Sequence, residues 1–309
     1  MALQKEIWIS DIQENLFANN EFMRNVGLDH SAYVSYKTVH IPQAGANPAV
    51  TKNRSIYPAA ITQRTDSELT YNLNEYTAEP VLLTDIEALQ INYNKRQSLL
   101  KQHIDKLSNV IANNTLYTWA TSPASDNIVR TSGSAVATAL APTATGNRKA
   151  ITLDDVRQAV KALDSSDVNM NDERYLILPA SMYYQLIGDS NISKYLEFGS
   201  ATAASGKVPM LMGAKIIVRS SVVVYDNTGT PVIKSVSDEG VPSSPATSDN
   251  LGALLVSNSY VTKAMGDIKV FADEDKPEYY GSVFSSLVMH GASKMRSDSA
   301  GIVSIIQTT

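Results

Sequence analysis

The chain of 309 residues contains no cysteine. Disulfide staples, thiolate zinc sites and thiol nucleophiles are therefore excluded. Histidine is nearly as scarce. The four present, His30, His40, His103 and His290, are scattered and form no HxxxH or HExxH spacing. Charged side chains make up 18% of the sequence, and the net charge is -5. A long basic surface that neutralises phosphates does not fit that balance. No apolar run reaches the 18 residues that a membrane span needs. The first residues, Met1 to Glu6, lack the basic-then-apolar order of a signal peptide. Phosphate-binding GxxxxGK[ST], dinucleotide-binding GxGxxG and the GxSxG elbow are all missing.

What is present is enough apolar sequence for a core, 43% of residues, and a length that corresponds to about two domains. Residues 1–30 mix amides and acids with isolated anchors such as Trp8, Phe17, Phe22 and Met23. This pattern reads as an arm that needs a surface to dock on. Residues 33–41 are rich in β-branched and aromatic types, which favour a strand that Pro42 ends. A polar stretch from Gln43 to Ser67 follows, and then a second strand-like run from Glu68 to Leu82. Together they predict a long hairpin projecting from the body.

Residues 84–121 carry the clearest periodicity. Thr84, Asp85, Ile86 and Glu87 read as a capping box. Apolar residues then recur at Leu89, Tyr93, Leu100, Ile104, Leu107 and Ile111, which share one helical face. Ser122-Pro123 stops the helix. At 1.5 Å per residue it would be about 55 Å long, a strut rather than an ordinary helix.

Residues 124–150 are rich in Ser, Ala, Thr, Gly and Asn and read as a loop or linker. Beyond them the pattern is mixed. Thr152 is placed to cap a helix carrying Leu153, Val156, Val160 and Leu163, with Asp154 and Asp155 matching its dipole. Tyr175 to Leu178 reads as a short buried strand, and Pro179 opens a helix ending near Gly188. Further strands are predicted at 215–219, 222–224, 251–256, 269–271, 280–289 and 301–307, with surface loop from Asp226 to Asn250. The densest acid cluster, Asp273-Glu274-Asp275, lacks the spacing of a calcium loop and reads as a solvated turn before Pro277. None of these features points to catalysis, a cofactor or a metal. An arm, a hairpin and a strut make sense when neighbouring copies supply contacts that one chain cannot.

This order of elements resembles the major capsid proteins of tailed bacteriophages, the Hong Kong 97-type fold. Local strings share that flavour: Lys37-Thr38-Val39-His40-Ile41-Pro42, Arg174 to Pro179, Gly213 to Val218 and Met289 to Lys294. The resemblance implies an α+β fold with an N-terminal arm at 1–30 and an extended loop at 42–80. It implies a peripheral domain from 31–41, 81–124 and 266–309, with the spine helix at 84–121, and an axial domain at 125–265. It further implies a virion shell of hexamers and pentamers, assembled in the host bacterial cytoplasm around double-stranded DNA. A portal, a separate scaffolding protein and a possible decoration protein would be partners, without a membrane. With the spine helix reached by residue 84, no cleaved assembly domain is expected before the arm.

The loop's distal part carries Lys52, Arg54 and Arg64 with no acid between residues 50 and 64. The expectation is that this basic tip meets acids on a neighbour, with Asp273, Glu274 and Asp275 as acceptors. Scattered solvated charge is the bland alternative. Two other readings stay open at this point: a cellular nanocompartment shell of the same fold, and an ordinary α+β enzyme subunit using carboxylates and tyrosines.

Overall fold

The structure, a computed structural model, describes residues 16, 20–45, 49–55, 57–58, 61, 63–84, 95–123, 125–166, 168–192, 208–226 and 230–309. In chain order the helices are α1 (Glu21–Asn25), α2 (Lys95–Ala120), α3 (Leu153–Ser165) and α4 (Ala180–Ile187). The strands are β1 (Leu28–Asp29), β2 (Val34–Ser35), β3 (Thr38–Gln43), β4 (Ser67–Asn72), β5 (Asn74–Thr77) and β6 (Val81–Thr84). They continue with β7 (Ile128–Arg130), β8 (Ala135–Ala137), β9 (Asn147–Lys149), β10 (Arg174–Pro179), β11 (Met210–Leu211) and β12 (Ala214–Arg219). The last six are β13 (Val223–Asp226), β14 (Val232–Ile233), β15 (Asp249–Ser257), β16 (Val261–Lys276), β17 (Gly281–Lys294) and β18 (Ile302–Ile306).

An eight-stranded sheet forms one body. Its path is β11-β12-β10-β15-β13-β14. β10 and β13 share one edge of β15 in succession, while β18 takes the other edge and pairs with β7 beyond it. All six residues of β10 and all nine of β15 are buried. The period-2 pleat explains why an unbroken apolar run is needed here. Leu176 and Leu178 join a core with α3 and α4, through Val156, Leu163, Met182 and Leu186. Tyr175 and Ile177 point the other way, into a core with the long helix α2.

The second body is a five-stranded sheet built on the β16–β17 ribbon. β1 runs parallel to β16 on one side, and β5 and β6 divide the free edge of β17 between them. A 16-residue strand spans about 50 Å at 3.3 Å per residue. The α2 face of Ile104, Leu107, Ile111, Leu116 and Trp119 packs into a core containing Val270 and Val288 of this ribbon and Leu254 and Val256 of the other sheet. The described part of α2, 26 residues, is thus a beam of about 39 Å lying on both bodies.

The base of the loop is a small sheet, β2-β3-β4, seated on the ribbon by Val39, Ile41 and Leu73 against Ala264. Gly266 and Gly291 allow that approach. A Cβ on either would lie 2.9 or 2.8 Å from the Leu73 methyls. From Thr38↔Asn72 the ladder runs outward to Gln43↔Ser67, so the residues between project away from β5.

Several sequence expectations need correction. β6 runs on to Thr84, paired with Gly281, two residues past the expected strand end at Leu82. The remaining capping-box residues, Asp85 to Glu87, lie outside the described residues. The run from Glu68 to Leu82 is three strands, because β4 belongs to the loop base while β5 and β6 pair with β17. Residues 125–150 are more than a loop or linker. They contain β7, and the β8–β9 hairpin is fixed by Arg148, only 2% exposed. Its guanidinium donates to Asn250 and to the carbonyls of Thr145, Asn147, Thr247 and Asp249. Asp273 to Asp275 continue strand β16 and form no turn. Finally, β18 pairs in the eight-stranded sheet, where the sequence reading grouped it with the peripheral elements.

The Thr152 cap is present as expected, but Asp155 does more than match a dipole. Fully buried, its carboxylate accepts from Thr152 N at 2.8 Å and from Ser132 Oγ at 2.7 Å, tying the helix start to the chain after β7.

Candidate subunit interface

Among the described residues the outward loop makes few contacts with the rest of the chain. Its tip carries Val50 and Ile61, 95% and 99% exposed, with Tyr57 also exposed. Apolar side chains on one projecting segment give a partner area to cover. In the sequence Val50, Tyr57 and Ile61 interrupt an otherwise polar stretch.

The three loop cations are not equivalent. Arg64 Nε donates to Asp66 Oδ1 at 2.5 Å, and the same oxygen accepts from Gly45 N at 2.9 Å. Asp66 therefore closes the neck of the loop and occupies Arg64. Lys52 is exposed, and Arg54 makes a contact of 3.4 Å to Thr51 Oγ1 next to it. The basic tip reduces to Lys52 and Arg54.

The expected acceptors lie elsewhere. Asp273 is exposed near the far end of the ribbon, opposite Val283. Glu274 and Asp275 follow it in β16, and their side chains lie outside the described residues. Within one copy Asp273 and the loop cations lie on different elements, and the expected contact is one between copies. Beside Asp273 is a shallow recess lined by Pro80, Phe271, Ala272, Val283 and Ser285. Phe271, Leu82, Tyr279 and Tyr280 expose apolar surface around the same end of the ribbon.

A wider groove, about 960 Å³, runs between α2, the β5–β6 edge and residues 236–239. Glu75, Glu79, Asp238 and Glu239 line it together with His103 and Lys106. Burial against this wall pushes the His103 imidazole below its ordinary range. Glu75 is paired with Lys37. Among the described residues no group of three His, Asp, Glu or Cys is placed to hold a metal ion, and no helix is long and apolar enough to cross a membrane.

Two bodies joined by a beam, with a loop thrown outward, is a shape with known counterparts. The family described as "Phage capsid protein" matches residues 30–238, more than half of the chain. This chain belongs to the phage capsid protein family. As a phage capsid protein it has the α+β, Hong Kong 97-like fold, and it is a structural protein that self-assembles into a shell. The fold is shared with the capsid of Ralstonia phage GP4, at 13% identity and a TM-score of 0.61, covering 92% of this chain and 87% of that one. The capsid of cyanophage Pam1 gives 11% identity and a TM-score of 0.61, with 91% and 88% covered. A virus-like particle from Pyrococcus furiosus gives 10% identity and a TM-score of 0.53, with 98% and 99% covered. No curated protein matches the sequence. At such identities the solved structures speak for the fold alone.

Proposed function

We infer that this phage capsid protein is the major capsid protein of a tailed bacteriophage, forming the icosahedral shell around its double-stranded DNA. The observation that carries the reading is the family match over residues 30–238, joined to a projecting loop whose Val50 and Ile61 are exposed among the described residues. Hexamers and pentamers would be the capsomers. A portal, a separate scaffolding protein and a decoration protein would be the partners of an assembly made in the bacterial cytoplasm.

The arm would be 1–30, the extended loop 42–73 and the axial domain 125–260. The peripheral domain would comprise 31–41, 74–124 and the β16–β17 ribbon, with β18 counted into the axial sheet. The loop of one copy would dock on another. Val50, Tyr57 and Ile61 supply apolar area at about 25 cal/mol per Å². Lys52 and Arg54 add orientation toward acids such as Asp273, Glu274 and Asp275 or the groove's Glu79, Asp238 and Glu239. Exposed ion pairs contribute little each, on the order of 0–1 kcal/mol. Repetition over a closed shell makes such contacts sufficient.

Negative-stain imaging of the purified chain tests the main claim. Uniform shells support it, and small discrete oligomers refute it. Nucleic acid inside shells recovered from infected cells separates a genome container from a cargo compartment. Reversing Lys52 and Arg54 to Glu, with Arg64 left to hold Asp66, should leave the protomer soluble and block shells. Wild-type shells from that variant would remove the charge-guided part of the proposal.

A further inference from the structure

Residues 20–29 lie between the two sheets and are tied to both. At one end Asn20 Nδ2 donates to Ser108 Oγ on α2 at 2.6 Å, while its Oδ1 accepts from Arg219 Nη2 at 3.1 Å. Arg219 closes β12 of the eight-stranded sheet and also donates to Asn113 Oδ1 on α2 at 3.0 Å. Its guanidinium sits 5.0 Å from the centre of the Phe22 ring, a cation–π contact. Phe22 in turn meets Trp119 edge-on at 6.1 Å. At the other end Lys263 of the ribbon donates to the carbonyls of Met23 and Val26, the latter at 2.9 Å. That places an ammonium where α1 leaves its carbonyls unpaired. Gly27 N donates to Asn258 Oδ1 at 2.7 Å, and Leu28 and Asp29 then pair with Thr262 and Lys263.

We propose that residues 20–29 act as a strap that sets the relative orientation of the two sheets, with Arg219 and Lys263 as its two locks. All the hydrogen bonds described for these cations go to neutral oxygens. Burial pulls Arg219 down to about 10 and lowers Lys263 as well, so each pays in lost hydration for its place. Lifting the strap returns both cations to water, which offsets part of the lost bonding. Such a lock holds firmly yet opens at modest cost. In a shell wall the angle between the sheets becomes local curvature, a consequence that rests on the shell-forming reading above. The strap itself does not rest on it.

The missing cysteines make a direct test clean. Lys161→Cys on α3 and Glu278→Cys at the ribbon's end, both exposed, accept spin labels that report the distance between the bodies. In the full chain, kept dilute, the wild-type locks should give one narrow distance distribution. With Arg219→Met and Lys263→Met added, the distribution should broaden or shift, and amide exchange over 21–30 should accelerate about tenfold or more. Amides of β10 and β15 should stay protected. If the double variant loses that protection, Asn20→Ala, which removes two strap contacts without touching either sheet, takes its place. An unchanged distribution with a folded protomer overturns the proposal, as does unchanged exchange over 21–30. Particle diameters then report the consequence: a wider spread supports the link to curvature, and wild-type diameters from a freed strap break it. Failure of the unmodified chain to form shells would strike the shell reading alone, because the distance measurement is made on the protomer.

Discussion

The eight-stranded sheet and the projecting loop follow opposite rules. In β10 and β15 every residue is buried, and consecutive side chains feed two different cores. In the loop Val50, Tyr57 and Ile61 are almost wholly in water, and the polar groups serve mainly to close the neck through Asp66. The sheet's information is spent on holding itself together. The loop's apolar residues contribute little to the lone protomer, so their use lies in what a neighbour covers.

That contrast can be broken most sharply by paired substitutions. Ile177→Ala in β10 removes buried methyls from the core under α2 and should cost about 2–5 kcal/mol in denaturant unfolding. Tyr57→Ser with Ile61→Ser should change protomer stability by less than about 0.5 kcal/mol and yet abolish shells on negative stain. Loss of protomer stability from the loop pair, or normal shells, would erase the distinction.

A second measurement sharpens the contrast within the sheet body. Arg148→Met keeps the bulk and deletes a guanidinium that organises the β8–β9 hairpin and the chain before β15. Unfolding should cost about 3 kcal/mol, since hydrogen bonds from a charged donor are lost and their acceptors stay buried. A cost near zero would return residues 124–150 to the status of a linker.

The smallest effect concerns pH at the ribbon. His290 is buried in β17, and burial, aided by the Lys263 charge, holds its imidazole down to about 3. The unfolded chain would protonate it near 6.5, so the folded state binds fewer protons below that value. The stabilising contribution is full above about pH 6.5 and is lost as pH falls toward 3. Denaturation midpoints at pH 7 and pH 5 should therefore differ more in the wild type than in His290→Asn. Equal pH dependence would show that other groups govern acid sensitivity.

Legibility followed the range of the interaction. Tyr175 to Leu178 was readable as a buried strand, and Thr152 as a cap, because their causes sit within a few residues. Thr84 shows the converse. Its local string reads as a capping box, and its pairing with Gly281, far along the chain, is not written there. Asp273 to Asp275 look like a turn until β17 pairs beside them. Lys52 and Arg54 were found by charge, but the apolar tip needed exposure to be noticed. Arg219 and Lys263 had no local signal at all, because their partners lie on other elements.

The amino-acid order alone determined the α+β class, the long amphipathic helix, the two-faced strands and the absence of thiol chemistry, since periodicity and composition act over short spans. Only the tertiary structure decided which sheet each strand entered, which cations were already occupied, and that residues 20–29 lie across both bodies. Those outcomes depend on contacts between segments up to some 240 residues apart, whose free energy appears only once the chain has closed on itself.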